Sequence, residues 1–197
     1  MRGWGRWAVP GRVAVENEGQ VTEVEATRIM LAAGSEARSL PGVNLDGKVV
    51  LDNRAILELP EVPKKLVIVG AGAVGVEFAS LFHSFGSEVT LLEMTPRIVP
   101  LEDEDISAEL EKSFRRRGIQ MFTSTTVESV AANASGATVT FRDQAGSVQT
   151  LTADRVLIAV GRAPVTSRLG LESSRVKMER GYIHVGPYQE TGEPGLY

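Results

Sequence analysis

The chain has 197 residues, enough for one domain with length to spare, and a globular composition of 43% hydrophobic and 23% charged residues. Its 21 Lys and Arg against 25 Asp and Glu leave a net charge of −4, which argues against a duplex-coating nucleic-acid binder and a polybasic membrane anchor. Cysteine is absent and histidine occurs only as His83 and His184, so the chain holds no disulfide, thiolate metal site, cysteine nucleophile or three-histidine metal site.

The opening MRGWGRWAVPGR carries arginines but no apolar core of signal-peptide length. The longest apolar run, Leu66 to Val76, is broken by Gly70, Gly72 and Gly75 and is too short to span a bilayer. A cytoplasmic location, with neither membrane nor nucleic acid as partner, is therefore the default expectation. VAVE and VTEVE, on either side of Asn17-Glu18-Gly19, predict two short strands. Arg28 to Gly34 is a short apolar run ending in small residues and predicts a buried strand. Pro41, Gly42, Pro60 and Pro63 punctuate a connection, with a domain boundary expected near Val62.

Lys65 to Val69 (KLVIV) is almost wholly apolar, as a central strand of a parallel sheet covered on both faces should be. Val74, Phe78, Leu81, Phe82 and Phe85 then recur at helical spacing and predict one buried helix face, stopped at Gly86. Glu88 to Leu92 completes a strand-helix-strand unit. A second helix is predicted from Asp105 to Arg117, with Ile106, Leu110 and Phe114 inward and Gly118 as its stop. Further strands are expected at 119–122, 127–131, 137–141, 148–151 and 156–160, with Asp143 to Gly146 turning a hairpin.

Gly70-Ala-Gly-Ala-Val-Gly75 is a G-x-G-x-x-G that follows an apolar strand and opens a helix, the context that makes the motif informative. Gly70 would permit the tight turn, Gly72 would admit a pyrophosphate to the backbone, and Gly75 would let helix and strand approach. The helix start at Ala73 and Val74 supplies free N–H groups and a positive dipole end for phosphate. The bland alternative is a tight turn with no ligand. Against it stands Glu93, about twenty residues after the first glycine, where a carboxylate accepts the hydroxyls of an adenosine ribose and repels a 2′-phosphate. Arg97 could hold a phosphate, but Glu93 is nearer. Glu77 faces either another part of the cofactor or solvent; the sequence leaves both open. His83 falls off the apolar face and reads as exposed. His184 has no evident catalytic partner, and Arg115 to Arg117 read as a solvated helix end favoured by the dipole.

ARSLPG (37–42), residues 65–93, PRIVPLEDEDIS (96–107) and AVGRAPVT (159–166) together resemble the flavin-dependent pyridine nucleotide–disulfide oxidoreductases, especially the dihydrolipoamide dehydrogenase branch. The resemblance implies an α/β fold: a Rossmann-like NAD-binding domain at 63–165, flanked by partial FAD-domain segments at 1–62 and 166–197. It implies that Gly70 to Gly75 bind the NAD pyrophosphate, including Ala73 and Val74, and that Glu93 binds the ribose. Val127, in a T-x-V match at 125–127, would meet the adenine end through its backbone. Glu77 and Gly161 would stand near the nicotinamide and Arg162 near the flavin. Ala33-Gly34-Ser35 is similar to the family's A-T-G-S flavin segment, with alanine in place of threonine.

In the family an N-terminal G-x-G-x-x-G holds FAD and a C-x-x-x-x-C pair exchanges electrons with substrate; neither occurs here. The chain therefore reads as an internal piece with no catalytic residue of its own and no turnover by itself. The complete enzyme would exchange hydride between NADH and FAD, coupled to a lipoyl-type dithiol, as a homodimer. A non-catalytic nucleotide-binding module, or a piece of another NADH-dependent flavoprotein reductase, is the alternative.

Overall fold

The computed structural model describes residues 1–197. Five strands come first: β1 (Trp4–Val9), β2 (Arg12–Asn17), β3 (Gln20–Glu25), β4 (Ser35–Ala37) and β5 (Val50–Leu51). They are followed by β6 (Lys65–Val69), α1 (Ala73–Ser84), β7 (Glu88–Leu92) and α2 (Glu104–Arg117). Next come β8 (Gln120–Phe122), β9 (Thr126–Asn133), β10 (Gly136–Arg142), β11 (Val148–Ala153) and β12 (Arg155–Ile158). The chain ends with β13 (Arg162–Pro164), β14 (Met178–Glu179) and β15 (Tyr182–Ile183). It divides into two units, Ala37–Gly161 and the pair of flanking segments Met1–Glu36 and Arg162–Tyr197.

In Ala37–Gly161 a parallel sheet has the strand order β5-β12-β6-β7-β8. Period-two alternation sends successive residues to opposite faces. Leu66, Ile68, Val89, Leu91 and Leu157 meet α1 and α2 on one face. Val67, Val69, Leu92, Val156 and Ile158 meet Val139, Phe141 and Ala153 of the antiparallel meander β9-β10-β11 on the other. A sheet buried on both sides needs apolar residues at every position, which is why KLVIV and EVTLL lack polar alternation. The sheet begins with β5, so this unit starts at Ala37, upstream of the boundary expected near Val62.

The helices correct three expectations. α1 buries Gly75, Val76, Ala79 and Phe82, while Leu81 and Phe85 are 39% and 59% exposed. Gly75 lies so close to the Gly70 carbonyl that only a small residue fits there, and Phe85 turns outward, edge to face with the buried Phe82 at 6.1 Å. In α2, Ile106 is 59% exposed and the inward positions are Ser107 and Phe114. Gly118 ends α2 at φ +88, as expected. Arg117 is not a solvated charge: its guanidinium donates to Ser80 Oγ at 2.8 Å and to the Ser80 carbonyl at 3.0 Å, fastening α2 to α1.

In the other unit β1, β2 and β3 form an antiparallel meander. Trp7 packs with Leu169, Leu171 and Leu196, and its N–H donates to the Leu169 carbonyl. β4 lies beside β13, and β14 pairs with β15. Arg28 to Gly34 is not a buried strand. It keeps a single bridge, Ile29 to Leu196, and Met30 is exposed, because its backbone bonds reach only Gly195–Tyr197 and, from Gly34, Val165. No helix is long and apolar enough to cross a membrane.

Candidate functional site

Strand order reverses at β6: α1 carries the chain to β7 on one side, and β12 flanks β6 on the other. In open α/β sheets such a reversal leaves a crevice at the carboxyl ends of the strands. Three glycines fill it for different reasons. Gly70 has φ +100, and a Cβ there would run into the Ala159 carbonyl at the end of β12. A Cβ on Gly75 would collide with the Gly70 carbonyl. At Gly72 the backbone is extended (φ −70°), and a Cβ would meet nothing within 4 Å. The protein's own packing therefore demands the first and third glycines but not the second.

Gly72 is the N-cap of α1 and has no side-chain cap. The N–H groups of Ala73, Val74 and Gly75 have no acceptor in the chain. They form the positive end of a twelve-residue helix, aimed where Gly72 leaves space. Val74 is half-buried and Ala73 exposed, while Glu77 is exposed one turn further along.

β7 delivers Glu93 to the same edge. Glu93 is 8% exposed and accepts three hydrogen bonds: Oε2 takes the Ala71 N–H at 2.7 Å, and Oε1 takes the Thr95 N–H and hydroxyl, both at 2.8 Å. A carboxylate offers about four lone-pair sites, so three donors leave room for one ligand hydroxyl. Thr125 donates its N–H to the Glu93 carbonyl at 2.9 Å, which brings the start of β9 alongside. Val127, opposite Phe141, is half-buried against the meander core. Gly161, at φ +108, is exposed two residues beyond the Ala159 that abuts Gly70. Arg97 is committed elsewhere. It pairs with Glu104 at 2.7 Å and donates to the Pro100 and Glu102 carbonyls.

In the flanking unit Arg162 donates through Nε to Ser35 Oγ at 2.7 Å and through a second nitrogen to the Ser35 carbonyl. The Gly34 carbonyl accepts the Val165 N–H, and Ala33 lines a cleft of about 390 Å3 with Trp4, Trp7, Ile29 and Leu169. His83 is half-buried with Nδ1 unpartnered; His184 and Glu179 are exposed, 3.6 Å apart. The sequence reading did not single out Thr95, Val99 or Ser107. Threonine two residues after Glu93 was the available signal for the first. A serine on a strongly charged helix gives none.

A family profile for pyridine nucleotide-disulphide oxidoreductases matches residues 5–197. The chain belongs to that family. Within it, the dihydrolipoyl dehydrogenase of Cupriavidus necator is 37% identical over 202 residues, covering all of this chain and 42% of the relative. The leghemoglobin reductase of Glycine max is also 37% identical, covering all of this chain and 38% of its own length. Among solved structures, LpdA from Mycobacterium tuberculosis superposes with a TM-score of 0.90 at 31% identity, over the whole of this chain and 44% of that one. The HOCl-induced flavoprotein disulfide reductase RclA from Escherichia coli gives 0.84 at 29%, with the same coverage. This pyridine nucleotide-disulphide oxidoreductase chain thus spans about two fifths of the length of the curated relatives it matches, and its parallel, Rossmann-like sheet is the fold the sequence predicts.

Proposed function

We propose that Ala37–Gly161 binds NAD(H) across the carboxyl edge of its parallel sheet. The pyrophosphate lies over Gly72 on the N–H groups of Ala73, Val74 and Gly75. The adenosine ribose takes the open lone pair of Glu93, and the adenine end meets the backbone at Val127. Glu77 and Gly161 stand on the nicotinamide side. The observation that carries this reading is Gly72, a glycine with no steric reason inside the protein, beside three N–H groups without acceptors. NAD(H) is favoured over NADP(H) because a 2′-phosphate would meet the Glu93 carboxylate, while Arg97, four residues on, is tied into its own loop.

The complete protein is a flavin-dependent, homodimeric oxidoreductase of the dihydrolipoyl dehydrogenase type, acting on a lipoyl-type dithiol. Ala33, Gly34, Ser35 and Arg162 would contact the FAD; the exposed Arg162, fixed by Ser35, presents a cation suited to a flavin oxyanion or phosphate. When bound, flavin and nicotinamide supply the hydride chemistry, and this chain supplies binding and orientation.

Calorimetric titration with NAD+, NADH and NADP+ tests the proposal. NADP+ should bind at least about tenfold more weakly, a difference of about 1.4 kcal/mol. Glu93→Gln, which removes the charge while keeping an acceptor, should narrow the gap. Equal affinity for both nucleotides in the parent protein would refute the assignment of Glu93.

A further inference from the structure

The glycine loop is held by a segment outside the motif. Val99 has φ +40 and is 7% exposed, and a buried β-branched residue rarely occupies the left-handed region. Such a conformation persists only where the surroundings over-determine it, and here they do. The Val99 N–H donates to the Ala71 carbonyl at 2.7 Å, and its own carbonyl accepts the Glu102 N–H at 2.9 Å. Its neighbour Ile98 is fully buried, and the Ile98 carbonyl accepts the Ser107 hydroxyl from α2 at 2.6 Å. Arg97 ties down the carbonyls of Pro100 and Glu102 from the outside. Ala71 is thus gripped at both ends, its N–H by Glu93 and its carbonyl by Val99, one residue before Gly72.

The turn at Gly70 does not need this grip, since the +100° φ and the contact with Ala159 already define it. Resting on the nucleotide-binding reading above, we propose that the 97–102 turn is a prop for the phosphate loop. Val99, and Ser107 and Arg97 through it, are positioning residues that hold the Gly72–Gly75 N–H groups in their binding arrangement before the nucleotide arrives. Binding then orders little further backbone, and that saving appears as affinity. Because Glu93 takes the Ala71 N–H, the phosphate donors are the groups at the start of α1, whose direction the prop sets.

Two variants loosen the prop from opposite sides without touching the glycine loop: Ser107→Ala from α2 and Arg97→Ala from the surface. Arg142→Ala, which breaks the 2.7 Å ion pair with Glu128 in the meander, is the control. Amide hydrogen exchange at the bonded N–H groups of Ala71, Val99 and Glu102, thermal melting and calorimetric NAD+ binding are measured on the whole chain. Each prop variant should speed exchange of the hydrogen-bonded Ala71, Val99 and Glu102 N–H groups by about tenfold, with β9–β11 unchanged, as local opening predicts. Each should weaken NAD+ binding by about three- to tenfold, and the control should do neither. If the parent binds NAD+ and the prop variants match it in both affinity and loop exchange, the prop is overturned while the nucleotide reading stands. If the parent fails to bind NAD+, that reading falls, and exchange at Ala71, Val99 and Glu102 still decides whether the prop holds the loop. Arg97→Ala leaves the buried core intact, so it keeps the test decisive should Ser107→Ala not fold.

Discussion

Gly72→Val separates a ligand-driven glycine from a packing-driven one. The backbone at 72 is extended, which valine adopts readily, and the added side chain points where no protein atom lies within 4 Å. Losing a glycine N-cap in favour of valine costs up to about 1 kcal/mol. Reduced freedom of the unfolded chain returns about 0.4–1 kcal/mol of that. The net change is under about 1 kcal/mol, a melting shift of less than about 4 °C for a chain of this length. Binding should respond very differently. The side chain would fill the space over the Ala73–Gly75 N–H groups, and losing two charge-assisted hydrogen bonds costs about 3–6 kcal/mol. That corresponds to about 10²–10⁴-fold in affinity. Circular dichroism and thermal melting would report the fold, and NADH fluorescence titration the binding. A variant that melts like the parent and still binds NADH within threefold would show that the loop is a turn and not a phosphate site.

Gly75→Ala should do the reverse. Its Cβ strikes the Gly70 carbonyl, backbone against backbone, so melting should fall by the equivalent of about 1–3 kcal/mol, with binding lost as a consequence. Asp46 offers a pH-dependent case. Burial pushes its carboxyl up, but N–H bonds from Lys48, Val49 and Val50 outweigh this and hold it below the ordinary 3.8. A depressed folded-state pKa gives stability that is complete above the unfolded value and lost as pH falls through the folded one. Asp46→Asn should therefore lower the melting point near neutrality, and the gap should narrow as pH falls below the ordinary 3.8; a gap that stays constant with pH would contradict it. Arg117→Ala should cost about 1–3 kcal/mol in urea unfolding, because a half-buried guanidinium holds Ser80 and Ser84 across two helices. Arg116→Ala, in an exposed pair with Glu109, should cost less than about 0.5 kcal/mol.

What the sequence made legible was local. KLVIV, the glycine turn, EVTLL and Glu93 each owe their place to neighbours within a few residues, and β6, α1 and β7 form where the pattern puts them. The hairpin at Asp143 forms for the same reason, its carboxylate accepting the N–H groups of Ala145 and Ser147. The inward face of α1 was misread because hydrophobicity favours Phe85 and Leu81, whereas close approach to a sheet favours Gly75 and Ala79. Ser107 was invisible because its burial serves a carbonyl nine positions back, and Val99 because a backbone N–H carries its role whatever the side chain. Arg28 to Gly34 has strand composition, but composition does not say how much partner strand a segment meets.

The Arg38 N–H donates to the Gly161 carbonyl at 3.0 Å, so the two ends of Ala37–Gly161, the inner unit along the chain, are pinned together. This governs the order in which the chain can fold. The two halves of the outer unit, Met1–Glu36 and Arg162–Tyr197, must find each other across everything between them. While the inner unit is a coil, that search carries a loop-closure cost that rises as about (3/2)RT ln n. Once Ala37–Gly161 has folded, the long tether shrinks to a hydrogen bond's span, and Trp7 can meet Leu169 and Leu196 with little further entropy to lose. Folding of Ala37–Gly161 therefore shortens the tether between the two segments of the other unit. Substitutions in Ala37–Gly161 that slow its folding should delay burial of Trp7 in stopped-flow fluorescence, although Trp7 belongs to the other unit.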